Sequence, residues 1–229
     1  MTGWTFERRL RNWRYAVIWI GWMRCSLSWA QQTVGVWTFQ QWGMGLDKRD
    51  HWQLVAITQP RFSYKGWETI ILLGKLGYRI HPKHVVFLGG QWVEFYDPRR
   101  FNQRRLFQRW QWTPSTHLSL TTTVEERWQN GRLVEALLRP LGRYRIGVGA
   151  LWLNYTSEIF FSFWVPRTSW RFYPRQLRTW LSVSYPRTGN WQVEVGYLNI
   201  AIPKTAPRHR LWIATRVYFN PFREEHSHR

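Results

Sequence analysis

The chain has 229 residues, short enough for one domain, and its 33 Lys and Arg against 13 Asp and Glu give a net charge of +20. Such a charge raises the question of a nucleic-acid partner. The basic residues recur singly rather than in clusters, however, and no RNA- or DNA-binding motif is present, which argues against that class.

Residues 1–30 have the features of a secretory signal. Several arginines precede an apolar stretch at 15–23 that is too short to span a bilayer, and small residues lead up to Ala30. The pattern predicts cleavage after Ala30, and an amphipathic anchor helix is the alternative. The only cysteine, Cys25, lies in this segment, so the mature chain could form neither a disulfide nor a thiolate-ligated metal site. We assign 31–222 to one folded domain and 223–229 to a disordered polar tail.

The remaining sequence alternates between two faces, which predicts β-strands. Near the C-terminus, for example, Trp191, Val193 and Val195 share one face, while Gln192 and Glu194 share the other. We predict eleven strands, at 34–45, 52–64, 68–80, 84–95, 101–113, 116–129, 133–146, 149–163, 174–185, 190–202 and 208–219. Each has more than ten residues, enough for a tilted strand to cross a bilayer and more than soluble sheets usually have.

Short turns such as Asn130-Gly131 join many of these strands, as in a chain of hairpins. The pattern fits either a half-solvated sheet or a membrane barrel with a polar lumen, and the strand lengths favour the barrel. We therefore predict an antiparallel up-and-down transmembrane β-barrel of 10–12 strands. Since single-chain bacterial barrels have even counts, either the run at 34–45 is not a full strand or a further strand lies near Pro166.

Tryptophan is unusually frequent, with 19 in the chain. Many lie near predicted strand ends, where an amphipathic ring would meet lipid headgroups at a membrane interface. The alternative is a tryptophan-rich soluble core, which would need a hydrogen-bond acceptor for each buried indole. The residues that we assign to an interface girdle are Trp152, Trp164, Trp170 and Trp191.

Charged side chains recur on the polar face of the predicted strands and would meet in a lumen. The predicted lumen network consists of Arg104, Glu125, Arg127, Arg139, Arg143, Glu158, Arg178, Glu194 and Arg216. Buried charges need partners, so the network could form a salt-bridged plug that stiffens the barrel. It could instead line a pore or form the floor of a ligand-binding site.

His117, Ser119 and Glu125 share one predicted strand face and suggest a second hypothesis. A serine nucleophile, a histidine base and an orienting acid on a barrel wall resemble the arrangement of a lipid A deacylase. No histidine pair has a third ligand at ordinary spacing, so we predict no metal, and we predict no cofactor.

Several runs in the chain resemble an uncharacterised outer-membrane family, catalogued as a domain of unknown function, number 2490. The most specific is Glu194-Val195-Gly196-Tyr197-Leu198-Asn199, and the resemblance covers roughly residues 50–220. The other runs, in matching order, are 104–109, 124–127, 141–146, 154–161, 176–178 and 208–211. The resemblance implies a Gram-negative outer-membrane barrel, inserted by the barrel assembly machinery, and implies no activity.

Three functional hypotheses follow. The first is an outer-membrane barrel that is structural or that binds or passes a small solute or lipid, with outer-membrane lipid and lipopolysaccharide as partners of its positive charge. The second is an outer-membrane lipid hydrolase that uses His117 and Ser119. The third is a soluble basic barrel that binds nucleic acid. The sequence leaves the oligomeric state open.

Overall fold

The computed structural model describes residues 35–63, 66–97, 99–164, 172–188 and 191–220. Within these ranges the chain forms strands and no helix, so no helix there is long and apolar enough to cross a membrane. The eleven strands are β1 (Gly35–Gly45), β2 (Trp52–Ser63), β3 (Gly66–His81), β4 (His84–Phe95), β5 (Gln103–Trp112), β6 (Leu118–Gln129), β7 (Arg132–Val148), β8 (Leu151–Trp164), β9 (Tyr173–Thr188), β10 (Trp191–Ala201) and β11 (Arg208–Phe219).

Pairing of the first and last strands closes the sheet into a barrel. Each strand runs antiparallel to the next, while β1 and β11 run in the same direction and pair in parallel. Their register sets Gly35 opposite Arg210 and Met44 opposite Phe219. The predicted all-β barrel is confirmed, with one parallel pair in an otherwise antiparallel ladder.

The strand number of eleven differs from the predicted even count. Among the described residues, the predicted run at 34–45 forms a full strand, and no twelfth strand pairs with the others. β1 forms despite its glycines because β2 and β11 supply backbone hydrogen bonds on both of its sides. The break at 165–171, the predicted signal at 1–30 and the predicted tail at 223–229 lie outside the described residues.

The two faces of the strands form an apolar outer wall and a mixed interior. Leu72, Leu88 and Val195 are exposed on the outside. Buried inward positions carry apolar side chains such as Phe160 and Leu198 as well as charged ones. The alternation in the sequence therefore sorts side chains between the outer surface and the lumen.

Bulges bring two further charged residues into ion pairs with buried residues of the interior. Arg61 pairs with Thr69 and Phe62 with Trp67, so Glu68 is the extra residue of β3. In the same way, the pairing of β8 with β9 skips Arg175. A bulge changes the direction in which the side chain of its extra residue points. In both bulges this side chain forms an ion pair with a residue of another strand.

The barrel has two ends, which we call upper and lower. The β1–β2, β3–β4, β5–β6 and β7–β8 connections lie at the upper end, at residues 46–51, 82–83, 113–117 and 149–150. The connections at 96–102, 130–131 and 202–207 lie at the lower end. β1 and β11 both run from the lower end to the upper end.

Gly196 tests how tightly neighbouring strands pack. An added Cβ would overlap the Leu181 carbonyl oxygen and the Ser182 side chain, whereas Gly74 has no atom within 4 Å of such a Cβ. We expect Gly196→Ala to lower the free energy of unfolding by about 1–3 kcal/mol, a typical cost of overpacking. Urea unfolding followed by tryptophan fluorescence measures the change, with Gly74→Ala as the control. Equal midpoints for the two variants would contradict the prediction.

Candidate functional site in the barrel lumen

The most buried charge in the lumen is Glu125 on β6, whose side chain is 0% exposed. Three arginines surround its carboxylate: Arg105 at 3.5 Å, Arg127 at 2.7 Å and Arg139. Arg105 and Arg139 come from the neighbouring strands β5 and β7. A buried carboxylate is tolerated only when paired and hydrogen-bonded, and these strands supply both conditions.

The pairs continue along the inner wall from β5 to β9. Arg139 also bonds Glu158 at 2.7 Å, and Arg178 lies 3.7 Å from the same glutamate. Towards the lower end, Glu135 pairs with Arg127 at 3.1 Å and with the bulge residue Arg175. We call this series the ionic belt: Arg105, Glu125, Arg127, Glu135, Arg139, Glu158, Arg175 and Arg178.

Aromatic rings connect the ionic belt to the opposite wall. The Arg178 guanidinium lies 4.3 Å from the Phe160 ring centroid and 5.3 Å from that of Trp37 on β1. Arg61 on β2 lies 3.8 Å from the same Trp37 ring. We call Arg61, Trp37, Arg178 and Phe160 the constriction, because together they reach from β8 and β9 to β1 and β2.

An apolar cluster fills the lumen next to the constriction. Trp37 packs with Leu198, Ile200, Trp212 and Ala214, all of which are buried. A void of only about 150 Å³ remains beside the constriction. Side chains thus occupy most of the middle of the barrel, as expected for a barrel nearer to eight strands than to the sixteen of open porins.

A second ion-pair cluster lies in the upper half and spans the interior. Glu194 on β10 accepts hydrogen bonds from Arg143 on β7 at 3.0 Å and from Arg216 on β11 at 2.6 Å. Ser182 on β9 also donates its hydroxyl to Glu194, at 2.5 Å. Three protein donors therefore hold this carboxylate in place.

The upper half also contains a cavity of about 610 Å³, which we call the upper cavity. Pro82, Lys83 and Thr113 form its mouth, and Trp37 and Arg178 its floor. More basic than acidic side chains line it. The basic ones are Lys75, Arg79, Lys83, Arg109, Arg139, Arg143, Arg178 and Arg216. The acidic lining consists of Glu158 and Glu194, both already paired with arginines.

The predicted lumen network is largely brought together, with one error. Glu125, Arg127, Arg139, Glu158 and Arg178 belong to the ionic belt, and Arg143, Glu194 and Arg216 form the second cluster. Arg104 is exposed on the outer wall, 5.4 Å from the Trp92 ring, so its predicted place in the lumen is wrong. The inward residue is its neighbour Arg105, because Arg105 pairs in register with Arg127 on the same face.

Sequence reasoning missed several lumen charges for two different reasons. Glu135 lies on the same face of β7 as Arg139 and Arg143, so its place in the lumen could have been predicted from the alternation. Glu68 and Arg175 are bulge residues, and a bulge breaks the period of two on which the assignment of faces depends.

The predicted interface tryptophans have different positions. Trp191 is exposed on the outer wall. Trp152 lies two residues before the buried Asn154 and therefore on the same, lumen-facing side of β8. Its ring centroid is 5.1 Å from the Arg145 guanidinium and 6.0 Å from the His117 ring centroid. Its predicted place in an outer girdle is wrong. The side chain of Trp164 and all of Trp170 lie outside the described residues.

His117, Ser119 and Glu125 do not form a catalytic set. Ser119 and Glu125 lie six positions apart along β6, about 20 Å at the rise of a strand. The carboxylate of Glu125 is occupied by three arginines, and His117 Nδ1 lies 3.1 Å from the Arg145 carbonyl oxygen. No group of three His, Cys, Asp or Glu residues in the described part of the chain is arranged to hold a metal ion.

The fold and the lumen define a class: a closed β-barrel with an apolar outer wall, an ion-paired interior and a cavity in its upper half. The chain belongs to the family described as protein of unknown function (DUF2490), which it matches over residues 34–211. The match covers β1 to β10 and the start of β11, and the family resemblance is confirmed. Searches of the curated proteins and of the solved structures found no match.

Removing the central carboxylate tests the ionic belt. Glu125→Gln leaves three arginines without its charge, so we expect the free energy of unfolding to fall by about 3–5 kcal/mol, the cost of breaking a buried ion pair. The control is Glu126→Gln, since Glu126 is the next residue on β6 and is exposed. Urea unfolding in detergent measures both, and a similar loss in the two variants would contradict a special role for Glu125.

Proposed function

We propose that the chain is an outer-membrane β-barrel that is closed to free solute flow at its constriction and that binds a ligand in its upper cavity. The observation that carries the membrane part is the outer wall. Every strand exposes at least one large apolar side chain there: Trp42, Leu54, Leu72, Leu88, Leu106, Val124, Ile146, Leu151, Val183, Val195 and Leu211. Soluble monomers rarely expose apolar surface on this scale.

The strand lengths support the same proposal. The shortest strand, β5, has 10 residues and the longest, β7, has 17. A tilted strand needs about 9–11 residues to cross the hydrocarbon core of a bilayer. Each strand is therefore long enough to span.

Aromatic side chains on the outer wall gather near both barrel ends. At the upper end Trp52 and Tyr78 lie 4.7 Å apart between ring centroids. At the lower end Trp67 packs against Tyr96, with 5.7 Å between their centroids. Two aromatic bands on either side of an apolar belt are typical of barrels whose ends meet lipid headgroups.

The interior favours binding over passage. The apolar cluster and the constriction occupy the middle of the lumen, whereas the upper cavity lies above them and extends to the turns of the upper end. A charged cavity above a narrow constriction can hold a solute and hinders its passage.

Cell fractionation tests the location. We expect the full-length chain, made in a Gram-negative cell, to be recovered in the outer membrane without residues 1–30, and its band to migrate differently in unboiled and boiled samples. A soluble protein whose mobility is unaffected by boiling would contradict the proposal and favour the soluble basic barrel.

Two outer-wall substitutions add a test that depends on depth. Leu72 lies at the middle of β3 and is 48% exposed, while Ile80 lies near its upper end. In lipid vesicles we expect Leu72→Arg to cost about 2–4 kcal/mol and Ile80→Arg about 0–1 kcal/mol, because only the first places a charge at the bilayer midplane. In a water-facing wall both arginines would be tolerated equally.

Planar-bilayer recording tests the closed lumen. We expect no steady conductance from the unmodified chain. Arg178→Ala removes the guanidinium between Trp37 and Phe160, so we expect it to produce openings. Arg175→Ala, at the lower end of the ionic belt, is the control and should stay closed. A steady open-pore current from the unmodified chain would contradict closure.

A further inference from the structure

We propose that the upper cavity is a binding site for a small molecule in which a phosphate or similar anionic group is joined to an apolar ring or chain. The inference rests on the proposed function, since it treats the barrel as a binding protein. It names the chemical class of ligand and the two walls that recognise it.

The cavity has a surplus of positive charge. Within the described residues, Lys75, Arg79, Lys83 and Arg109 line the cavity without a carboxylate in ion-pair distance. The glutamates of the lining are held by arginines at 2.6–3.7 Å. The protein therefore places no carboxylate in contact with this set of cations, and Glu158 and Glu125 act on Arg109 only at longer range.

Lys75 is a buried member of this set of cations. Its side chain is 8% exposed, and its ammonium lies 3.9 Å from the Phe87 ring centroid. Its charge is repelled by that of a neighbouring cation, Arg109. The Nε–H of Arg109 donates a hydrogen bond to the Thr123 hydroxyl at 3.0 Å. Burying an ammonium without a carboxylate is costly. An anion held by Lys75 and Arg109 would offset that cost, and charge-assisted hydrogen bonds are the strong ones.

The wall opposite Lys75 and Arg109 adds aromatic surface. Lys75 and Arg109 belong to β3 and β5, whereas the far side, from β9 through β11 to β1, carries aromatic rings beside the two ion-paired arginines Arg178 and Arg216. Phe39 and Trp212 have ring centroids 5.4 Å apart, and Trp180 meets Trp212 edge-on at 6.2 Å. A cavity of about 610 Å³ lies in the range of small-molecule sites. It offers a ligand cations without a carboxylate partner on one side and aromatic surface on the other.

Calorimetric titration of the purified full chain in a non-ionic detergent tests the site. The probes are 1-naphthyl phosphate, octyl phosphate, inorganic phosphate and the uncharged 1-naphthalenemethanol. We expect both organic phosphates to bind more tightly than inorganic phosphate and the neutral probe, and the naphthyl and octyl esters separate a ring-bearing ligand from a lipid-like one. Lys75→Met and Arg109→Gln should each weaken 1-naphthyl phosphate about tenfold, the loss of one charge-assisted contact.

Arg104→Gln is the matched control, because Arg104 lies on the outer wall and should leave binding unchanged. Urea unfolding without ligand is a second test. It distinguishes a lysine that binds the ligand from one that only stabilises the fold. We expect Lys75→Met to raise the urea midpoint, since it removes a buried charge that lacks a counter-ion, and 1-naphthyl phosphate to raise the midpoint only when Lys75 is present.

Two results would overturn the inference while leaving the proposed function intact. One is a folded, heat-modifiable outer-membrane barrel in which 1-naphthyl phosphate does not bind, or binds Lys75→Met as tightly as the unmodified chain. The other is a lower urea midpoint for Lys75→Met, which would make the lysine a structural residue. If fractionation shows a soluble chain, the proposed function fails, and the same titration without detergent still decides whether the cavity binds the anion.

Discussion

The parallel pairing of β1 with β11 is the constraint on which the rest of the structure depends. Its register joins residues 35–44 of β1 to residues 210–219 of β11 and leaves neither strand as a free edge. Without it, two rows of backbone donors and acceptors would need water or another chain. Closure also turns the inner face of the sheet into an enclosed interior. The two walls that meet across it at the constriction belong to strands far apart in the sequence.

The distribution of polarity follows from closure. An open sheet would leave Glu125, Arg139 and Glu158 in water, where such ion pairs contribute little. Inside the barrel the same carboxylates have low exposure and arginines on two neighbouring strands. The pairs that Arg139 makes with Glu125 and Glu158 hold β7 in register with β6 and β8, and the outward positions are left for apolar side chains.

Most of the fold could be predicted from alternation alone, because a period of two identifies strands and their faces without knowledge of their partners. The parallel closing pair follows from an odd number of antiparallel strands, and sequence reasoning missed it because the rule of even counts for bacterial barrels was set above the eleven runs that alternation identifies. In the site, Arg139, Glu158 and Glu194 follow the alternation. Assigning Arg104 and Arg105 to faces requires the register against β6, because β5 has polar residues on both faces. Glu68 and Arg175 escape alternation because they are bulge residues.

The odd number of strands has a consequence for sidedness. Gly35 at the start of β1 and Phe219 at the end of β11 lie at opposite ends of the barrel. In barrels with an even number of strands the corresponding positions lie at the same end. Should this barrel cross a bilayer, labels attached beside these two residues would report on different compartments. One protease or antibody experiment on intact cells would then orient the whole molecule, including the mouth of the upper cavity.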